Sequence, residues 1–86
     1  MKDSTPNYIL KIAKKRFHKE GEKWFVFYTS GYGGNAFFIP KSQIIFKDFD
    51  DPEWIRLKIK GFIFKKIKFD LEAMRQSEVK ITEAGI

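Results

Sequence analysis

The sequence contains no cysteine, so neither a disulfide framework nor a thiolate metal site is available and the fold must hold together by packing. A reducing compartment such as the cytoplasm fits this composition. The single histidine, His18, lies in a predicted turn without a second histidine or cysteine to complete a zinc site. The acidic stretch 47–53 lacks the glycine and terminal glutamate of a calcium-binding loop. We therefore predict no metal and no cofactor.

Long apolar runs are also missing, since none approaches the roughly 20 residues that span a bilayer, and residues 1–6 include no apolar signal segment. The glycine-rich stretch 30–35 is not a phosphate loop, because no Lys-Ser/Thr pair follows its glycines. Ser42 beside Lys41 does not have the spacing of an activated nucleophile. These absences predict a protein that is not an enzyme and not bound to a membrane.

The sequence does hold ample material for one core, with 86 residues of which 43% are hydrophobic and 17% aromatic. We predict a single β-rich domain over residues 1–77, followed by a C-terminal tail, 78–86, whose weak pattern suggests fraying. The net charge of +6 favours an anionic partner, although charge of this size also serves solubility alone.

Two apolar segments at residues 8–17 and 24–29 flank a short polar stretch, which is typical of a β-hairpin. A strand at 36–39 ends before Pro40, and residues 44–46 form a further short strand. Residues Asp51, Pro52 and Glu53 indicate an acidic turn or the cap of a single helical turn.

The clearest pattern covers residues 54–69, where the odd positions are apolar: Ile55, Leu57, Ile59, Ile63, Ile67 and Phe69. This alternation predicts strand, and Gly61 interrupts it either as a bulge in one bent strand or within a tight turn between two strands. Residues 70–77 start a short helix with Asp70 as its N-cap. The predicted fold is mainly β, with about five strands in a small barrel or strongly bent antiparallel sheet, SH3-like or of the oligonucleotide-binding kind, and a short C-terminal helix or tail.

The even positions of the same segment provide the candidate site, because a continuous register places two phenyl rings and five cations on one face. These residues are Arg56, Lys58, Lys60, Phe62, Phe64, Lys66 and Lys68. Proteins that bind single-stranded nucleic acid combine cations that follow the phosphates with rings that stack on bases. Tyr32 adds a third candidate ring, in the glycine-rich loop. In the alternative interpretation, Gly61 shifts the register by one residue, both rings turn inward and the lysines are simply solvated.

The leading functional prediction is therefore an accessory protein that binds single-stranded nucleic acid with little sequence preference. A second basic cluster either extends this surface or solubilises the first hairpin: Lys11, Lys14, Lys15, Arg16, Lys19 and Lys23. The alternative function is a phage-encoded protein that binds and inhibits a host protein, such as a defence nuclease, in the manner of an anti-CRISPR protein. A structural or oligomeric particle component is a third interpretation.

Residues 37–44, FFIPKSQI, resemble the W-I-P-K-S-Q-I stretch of small, largely uncharacterised phage and prophage proteins. The resemblance implies a phage or mobile-element origin and a compact β domain, with a strand pair before the motif and a short hydrophobic segment after it, and it brings no established activity. Phe38 replaces the tryptophan of the family, and Phe64 stands where the family favours a small residue. For residues 62–66 we therefore predict strand in preference to a helix.

Overall fold

The computed structural model describes residues 5–29 and 35–85. These ranges contain seven strands: β1 (Asn7–Ala13), β2 (Phe17–Glu20), β3 (Trp24–Tyr28), β4 (Ala36–Pro40), β5 (Ile44–Asp48), β6 (Trp54–Ile59) and β7 (Val79–Gly85). They also contain one α-helix, α1 (Gly61–Glu72), and short 3-10 turns at Lys14–Arg16, Lys41–Gln43 and Gln76–Glu78. No helix in the described part of the chain is long and apolar enough to cross a membrane.

The strands form two antiparallel sheets, one of four strands in the order β5-β6-β1-β7 and one of three strands in the order β2-β3-β4. The predicted mainly β fold is therefore confirmed. The expected count of about five strands was too low, because β1 and β2 are separate strands and the C-terminal segment adds another. The pairings between described residues do not by themselves define a closed barrel.

The core lies between the inner faces of the two sheets and one side of α1. Alternate residues of β1 and β6 are fully buried, as the strand period of two requires: Leu10, Ile12, Ile55, Leu57 and Ile59. Phe25 and Phe27 of β3 and Ile39 of β4 fill it from the other sheet. Each such side chain stabilises the fold by about 1.5–3 kcal/mol relative to an exposed one.

Two corners of similar conformation carry the chain between the sheets. Ala13, at φ −56° and ψ 130°, precedes the turn from β1 to β2, and Pro40, at φ −63° and ψ 130°, precedes the turn from β4 to β5. The proline ring fixes its φ near this value, so the I-P-K-S-Q segment is built to end β4 and start the corner. The polar residues after Pro40 form the 3-10 turn Lys41–Gln43.

The first corner also corrects the predicted hairpin. The segment 8–17 is not one strand, because the chain bends at Lys14–Arg16, and only the residues after this bend pair with β3. Strand β1 pairs instead with β6 and β7 in the other sheet. The hairpin that forms is β2-β3, joined by the polar residues 21–23.

The strand predicted beyond Gly61 is wrong, since the chain turns there into α1. The buried residues of this segment, Ile63, Phe64, Ile67 and Leu71, recur at the helical spacing of three to four residues. Gly61 lies so close to the chain start that an added Cβ would overlap the carbonyl oxygen of Pro6 and the methyl group of Thr5. Close backbone approach, rather than a bulge or a turn between strands, explains this glycine.

The C-terminal prediction is also corrected. Asp70 lies in the last turn of α1 and is not an N-cap, and residues 79–85 form β7 rather than a frayed tail. Most side chains of β7 are exposed or half-buried, so backbone pairing with β1 holds this strand in place. Just before it, the buried carboxylate of Glu78 accepts hydrogen bonds from Arg16 Nε and Nη2 at 2.9 and 2.7 Å.

Candidate nucleic-acid interface

The four-stranded sheet has one face on the core and one face open to solvent. In β1, Leu10 and Ile12 point into the core, so the residues between them, Ile9 and Lys11, point outward. In β6 the same alternation turns Arg56 and Lys58 outward. The sheet therefore has an outer side on which two of the predicted site residues lie together.

The strand register extends this side across the sheet, because residues directly opposite each other on paired strands share a face. Lys11 lies opposite Arg56 of β6 and Lys80 of β7, and Lys58 lies opposite Ile9 of β1 and Phe46 of β5. We call this surface the outer sheet face and define it by seven residues: Ile9, Lys11, Phe46, Trp54, Arg56, Lys58 and Lys80.

Positive charge dominates the outer sheet face. Arg56, Lys11 and Lys80 form one row across three neighbouring strands, and like charges in such cross-strand pairs repel. Asp48 lies opposite Arg56 on β5, and a carboxylate oxygen of Asp51 lies 3.9 Å from Arg56 Nη2. This ion pair is partly exposed and therefore weak, so the row keeps most of its attraction for an anion.

Aromatic rings accompany the cations. Phe46 is 56% exposed on β5, and Trp54 is half-buried at the start of β6. The Nζ of Lys11 lies 4.9 Å from the centroid of a Trp54 ring, which is the geometry of a cation–π contact. The face therefore combines the two chemical features of a surface that binds single-stranded nucleic acid, because ammonium and guanidinium groups lie beside one exposed and one half-buried ring.

The turn before β6 is fixed by Asp51. Its Oδ1 accepts the backbone N–H groups of Glu53 at 2.8 Å and Trp54 at 3.1 Å. The N–H of Glu53 is the main reason why the pKa of Asp51 lies below its ordinary value; burial opposes this, and Trp54, Arg56 and Lys11 add to the lowering. Asp51 thus stays ionised at neutral pH and orients the start of β6.

The predicted even-numbered face does not exist as one surface. Arg56 and Lys58 belong to the outer sheet face, whereas Lys60 is the exposed residue between β6 and α1. The remaining members, Phe62, Phe64, Lys66 and Lys68, lie in α1, where alternate residues do not share a side. Tyr32 falls outside the described residues.

Phe64 is the clearest correction among the predicted site residues. It is 8% exposed, and its ring stacks on Tyr8 with centroids 3.8 Å apart and an interplanar angle of 15°. A ring in this position belongs to the core and has no face left for a base. Phe62, two residues earlier and about 200° around the helix, is 44% exposed.

The helix has a basic and aromatic side of its own. Phe62, Lys65, Lys66 and Phe69 occupy positions i, i+3, i+4 and i+7, which lie on one side of a helix, and all four are exposed. Phe69 is 80% exposed. We call these four residues the outward helix face. It lies away from the outer sheet face, because α1 packs its other side against the core on the inner side of the sheet.

Three of the six residues of the N-terminal basic cluster, Lys14, Lys15 and Arg16, make polar contacts within the fold. Lys14 Nζ donates to the carbonyl oxygens of Phe49 at 2.7 Å and Asp51 at 3.0 Å. Arg16 is buried in its pair with Glu78, and Lys15 Nζ lies 3.1 Å from the same carboxylate. Lys11 is the member of the cluster that joins the outer sheet face.

The sequence indicates Lys11 only as a possible extension of the site and does not indicate Lys80, Phe46 or Trp54 as binding residues. The alternation of Leu10, Lys11 and Ile12 is a signal for Lys11, since it predicts a strand with one solvent face. Lys80 has no such signal, because the weak pattern of residues 78–86 predicts a tail and the pairing that places Lys80 is long-range.

The described residues hold no group of three or more histidine, cysteine, aspartate or glutamate side chains that would bind a metal ion. Comparison with known proteins gave no matching family model, no matching curated protein and no matching solved structure.

Proposed function

We propose that this chain is a non-enzymatic binding module that binds single-stranded nucleic acid, with little sequence preference, through the outer sheet face. The observation that carries the proposal is the array of Lys11, Arg56, Lys58 and Lys80, which come from three strands and lie beside the exposed ring of Phe46 and the half-buried ring of Trp54. A role as an accessory protein of a phage or mobile element rests on the resemblance of residues 37–44 alone.

The geometry of the sheet supports contact with a flexible, single-stranded nucleic acid. Neighbouring strands lie about 4.8 Å apart, so the row Lys80, Lys11 and Arg56 presents a cation on each of three neighbouring strands. Phosphates would contact this row, while bases stack on exposed rings at about 1–3 kcal/mol each. Such contacts read charge and flat surfaces rather than base edges, hence the weak sequence preference. A small barrel of the SH3-like or oligonucleotide-binding kind would present a sheet face in this way, and we keep that finer fold as part of the proposal.

The test is the salt dependence of binding to a fluorescently labelled oligonucleotide, followed by anisotropy. If four phosphates are neutralised, the logarithm of the association constant should fall with the logarithm of salt concentration at a slope of about −3, or about 50-fold between 50 and 200 mM. The double variant Lys58→Glu, Lys80→Glu should lose at least tenfold in affinity.

The matched control is Lys66→Glu with Lys68→Glu, which changes the net charge equally but lies on α1. This variant should lose less than threefold, because only the long-range field is altered. The proposal is rejected if the wild-type protein does not bind at low salt, or if the two double variants weaken binding equally.

The outward helix face favours a second candidate function, inhibition of a host protein such as a defence nuclease. Phe62 and Phe69 lie about 10 Å apart along one side of α1, with Lys65 and Lys66 between them. Two apolar anchors at i and i+7 suit an apolar groove, and the lysines suit carboxylates at its rim. The occupant in this proposal is therefore a protein with an acidic, apolar-floored groove.

This candidate is tested by affinity capture from nuclease-treated host lysate, with Phe62→Ala, Phe69→Ala as the comparison and Lys58→Glu, Lys80→Glu as the matched control. A specific partner should be lost with the phenylalanine variant, retained with the lysine variant, and reconstituted from purified components. Retention by the phenylalanine variant would exclude the outward helix face as its contact.

A further inference from the structure

A depression of about 370 Å³ opens at the end of the outer sheet face, where β6 begins. Its lining includes Trp54, Pro52 and Glu53 from the turn before β6, Lys15 from the first corner, and Ser77 from the 3-10 turn before β7. Trp54 belongs to both surfaces and lies two residues from Arg56 on β6, so a nucleic acid that lies along the cation row passes beside this depression.

The walls of the depression are held by hydrogen bonds. Lys14 donates its backbone N–H to the carbonyl oxygen of Glu53 at 2.9 Å, and its ammonium group bonds to two further carbonyls of the acidic turn. The opposite wall is tied by Arg16 to Glu78. A ligand would therefore enter a site whose sides are already in place, which lowers the entropic cost of binding.

The chemistry of the lining selects a base over a phosphate. The ammonium groups of Lys14 and Lys15 are engaged by carbonyl oxygens and by Glu78, and the carboxylate of Glu53 would repel a phosphate, whereas the cations of the neighbouring row would attract one. An indole ring beside a mixed rim of hydroxyl, ammonium and carboxylate groups offers a stacking surface together with donors and acceptors for a base edge. The Lys15 side chain is 70% exposed and can reach a ligand while staying near Glu78.

We infer that this depression takes one nucleobase of the bound strand, stacked on Trp54 while its phosphates contact Lys11 and Arg56. The inference rests on the proposed function, and it adds a base-binding site to a surface otherwise defined by charge. Trp54 would report on it directly, because the fluorescence of an indole changes when a base stacks against it.

The experiment uses Trp24→Phe, which leaves Trp54 as the single tryptophan; Trp24 is 45% exposed, so its replacement does not disturb the core. This protein is titrated with a base-bearing oligonucleotide and with an abasic backbone of equal length and charge. The base-bearing strand should quench Trp54 emission by at least a third and bind about 5- to 100-fold more tightly. The abasic strand should bind with the same salt slope and leave the emission unchanged.

A second variant, Ser77→Phe, fills the depression from an exposed position without altering Trp54. It should lose the affinity difference between the two strands and keep the binding of the abasic strand. Salt-dependent binding with unchanged Trp54 emission, equal quenching by both strands, or an unaltered preference in Ser77→Phe would each overturn the base site while leaving the proposed function intact. Absence of binding by either strand at low salt would instead refute the proposed function.

Discussion

The outer sheet face and the outward helix face have the same ingredients and are assembled in different ways. On the sheet, Lys11, Arg56 and Lys80 are far apart in the sequence, and the antiparallel register brings them into one row. On the helix, Lys65 and Lys66 are neighbours in the sequence and stand between two exposed rings. Density of basic residues along the chain is therefore a poor guide to the surface that is flat enough to take a polymer.

The two faces also differ in how firmly they are held. The outer sheet face is the back of the buried strands β1 and β6, whose inner residues are fully buried, so its side chains project from a rigid support. The outward helix face depends on the rotational position of α1, which Phe64 and the close approach of Gly61 to Pro6 set. A variant that disturbs the packing of α1 but not that of β1 and β6, or the reverse, will therefore distinguish the contributions of the two faces.

The largest effect is expected for Phe64→Ala, which removes a buried ring stacked on Tyr8 and leaves a cavity. It should lower the free energy of unfolding by about 3–5 kcal/mol, measured by urea denaturation. The matched variant Phe62→Ala removes the same atoms from an exposed position of the same helix. Its free energy of unfolding should change by about 0.5 kcal/mol or less. Equal losses in the two variants would mean that α1 does not sit with Phe64 inward.

How much of this could be predicted from the sequence differs between the two faces. The alternation of β6 was sufficient to place Arg56 and Lys58 outward, because the strand period of two depends only on local residues. Beyond Gly61 the same alternation predicts strand and is wrong. The buried residues there have helical spacing: Ile63, Phe64, Ile67 and Leu71. A short apolar pattern can fit both the strand period of two and the helix period of 3.6. Helix and strand then cannot be distinguished until the elements that pack against the segment are known.

Long-range pairing explains the other failures. The segment of β7 has few apolar residues, and it becomes a strand because β1 offers a free edge and Glu78 is tied to Arg16. Neither the partner strand nor its register can be read from residues 79–85 alone. Only the strand pairing in the folded structure therefore places Phe46 and Lys80 on the outer sheet face.

The second-largest effect on stability is expected for Glu78→Gln, at the end of the outer sheet face. This variant weakens the hydrogen bonds to Arg16 that hold the residue before β7 in place. Arg16 is the main cause of the lowered pKa of Glu78; burial opposes this, and Lys15 reinforces it. A carboxyl whose pKa is lowered on folding stabilises the protein above its ordinary pKa of 4.5, and this contribution is lost as the pH falls through the folded value. The variant should thus lose about 1.5–3 kcal/mol at pH 7, and the difference from wild type should shrink below pH 4.5.

The measurement is urea denaturation at pH 7 and in steps below pH 4.5, combined with hydrogen exchange of the backbone amides. Amides of β7 should exchange faster in the variant while those of α1 keep their protection, since only the sheet edge is loosened. The control is Glu20→Gln, whose exposed carboxylate lies 2.5 Å from Lys41 Nζ and should have a smaller effect. A uniform rise in exchange, or a loss that does not depend on pH, would contradict the role given to this pair.

The smallest expected effect is a change in the salt dependence of binding when single lysines are replaced. It distinguishes the two faces most directly, because each variant tests one phosphate contact. Lys58→Met removes one cation from the outer sheet face, and Lys66→Met removes one from the outward helix face while keeping an unbranched side chain in each case. A lysine that neutralises a phosphate releases one counterion, so Lys58→Met should reduce the salt slope of binding by about 0.7, whereas Lys66→Met should leave it unchanged. Fluorescence anisotropy at four or more salt concentrations resolves this difference. If Lys66→Met changes the salt slope as much as Lys58→Met does, the nucleic acid also contacts the outward helix face. The assignment of nucleic-acid binding to the outer sheet face alone would then be wrong.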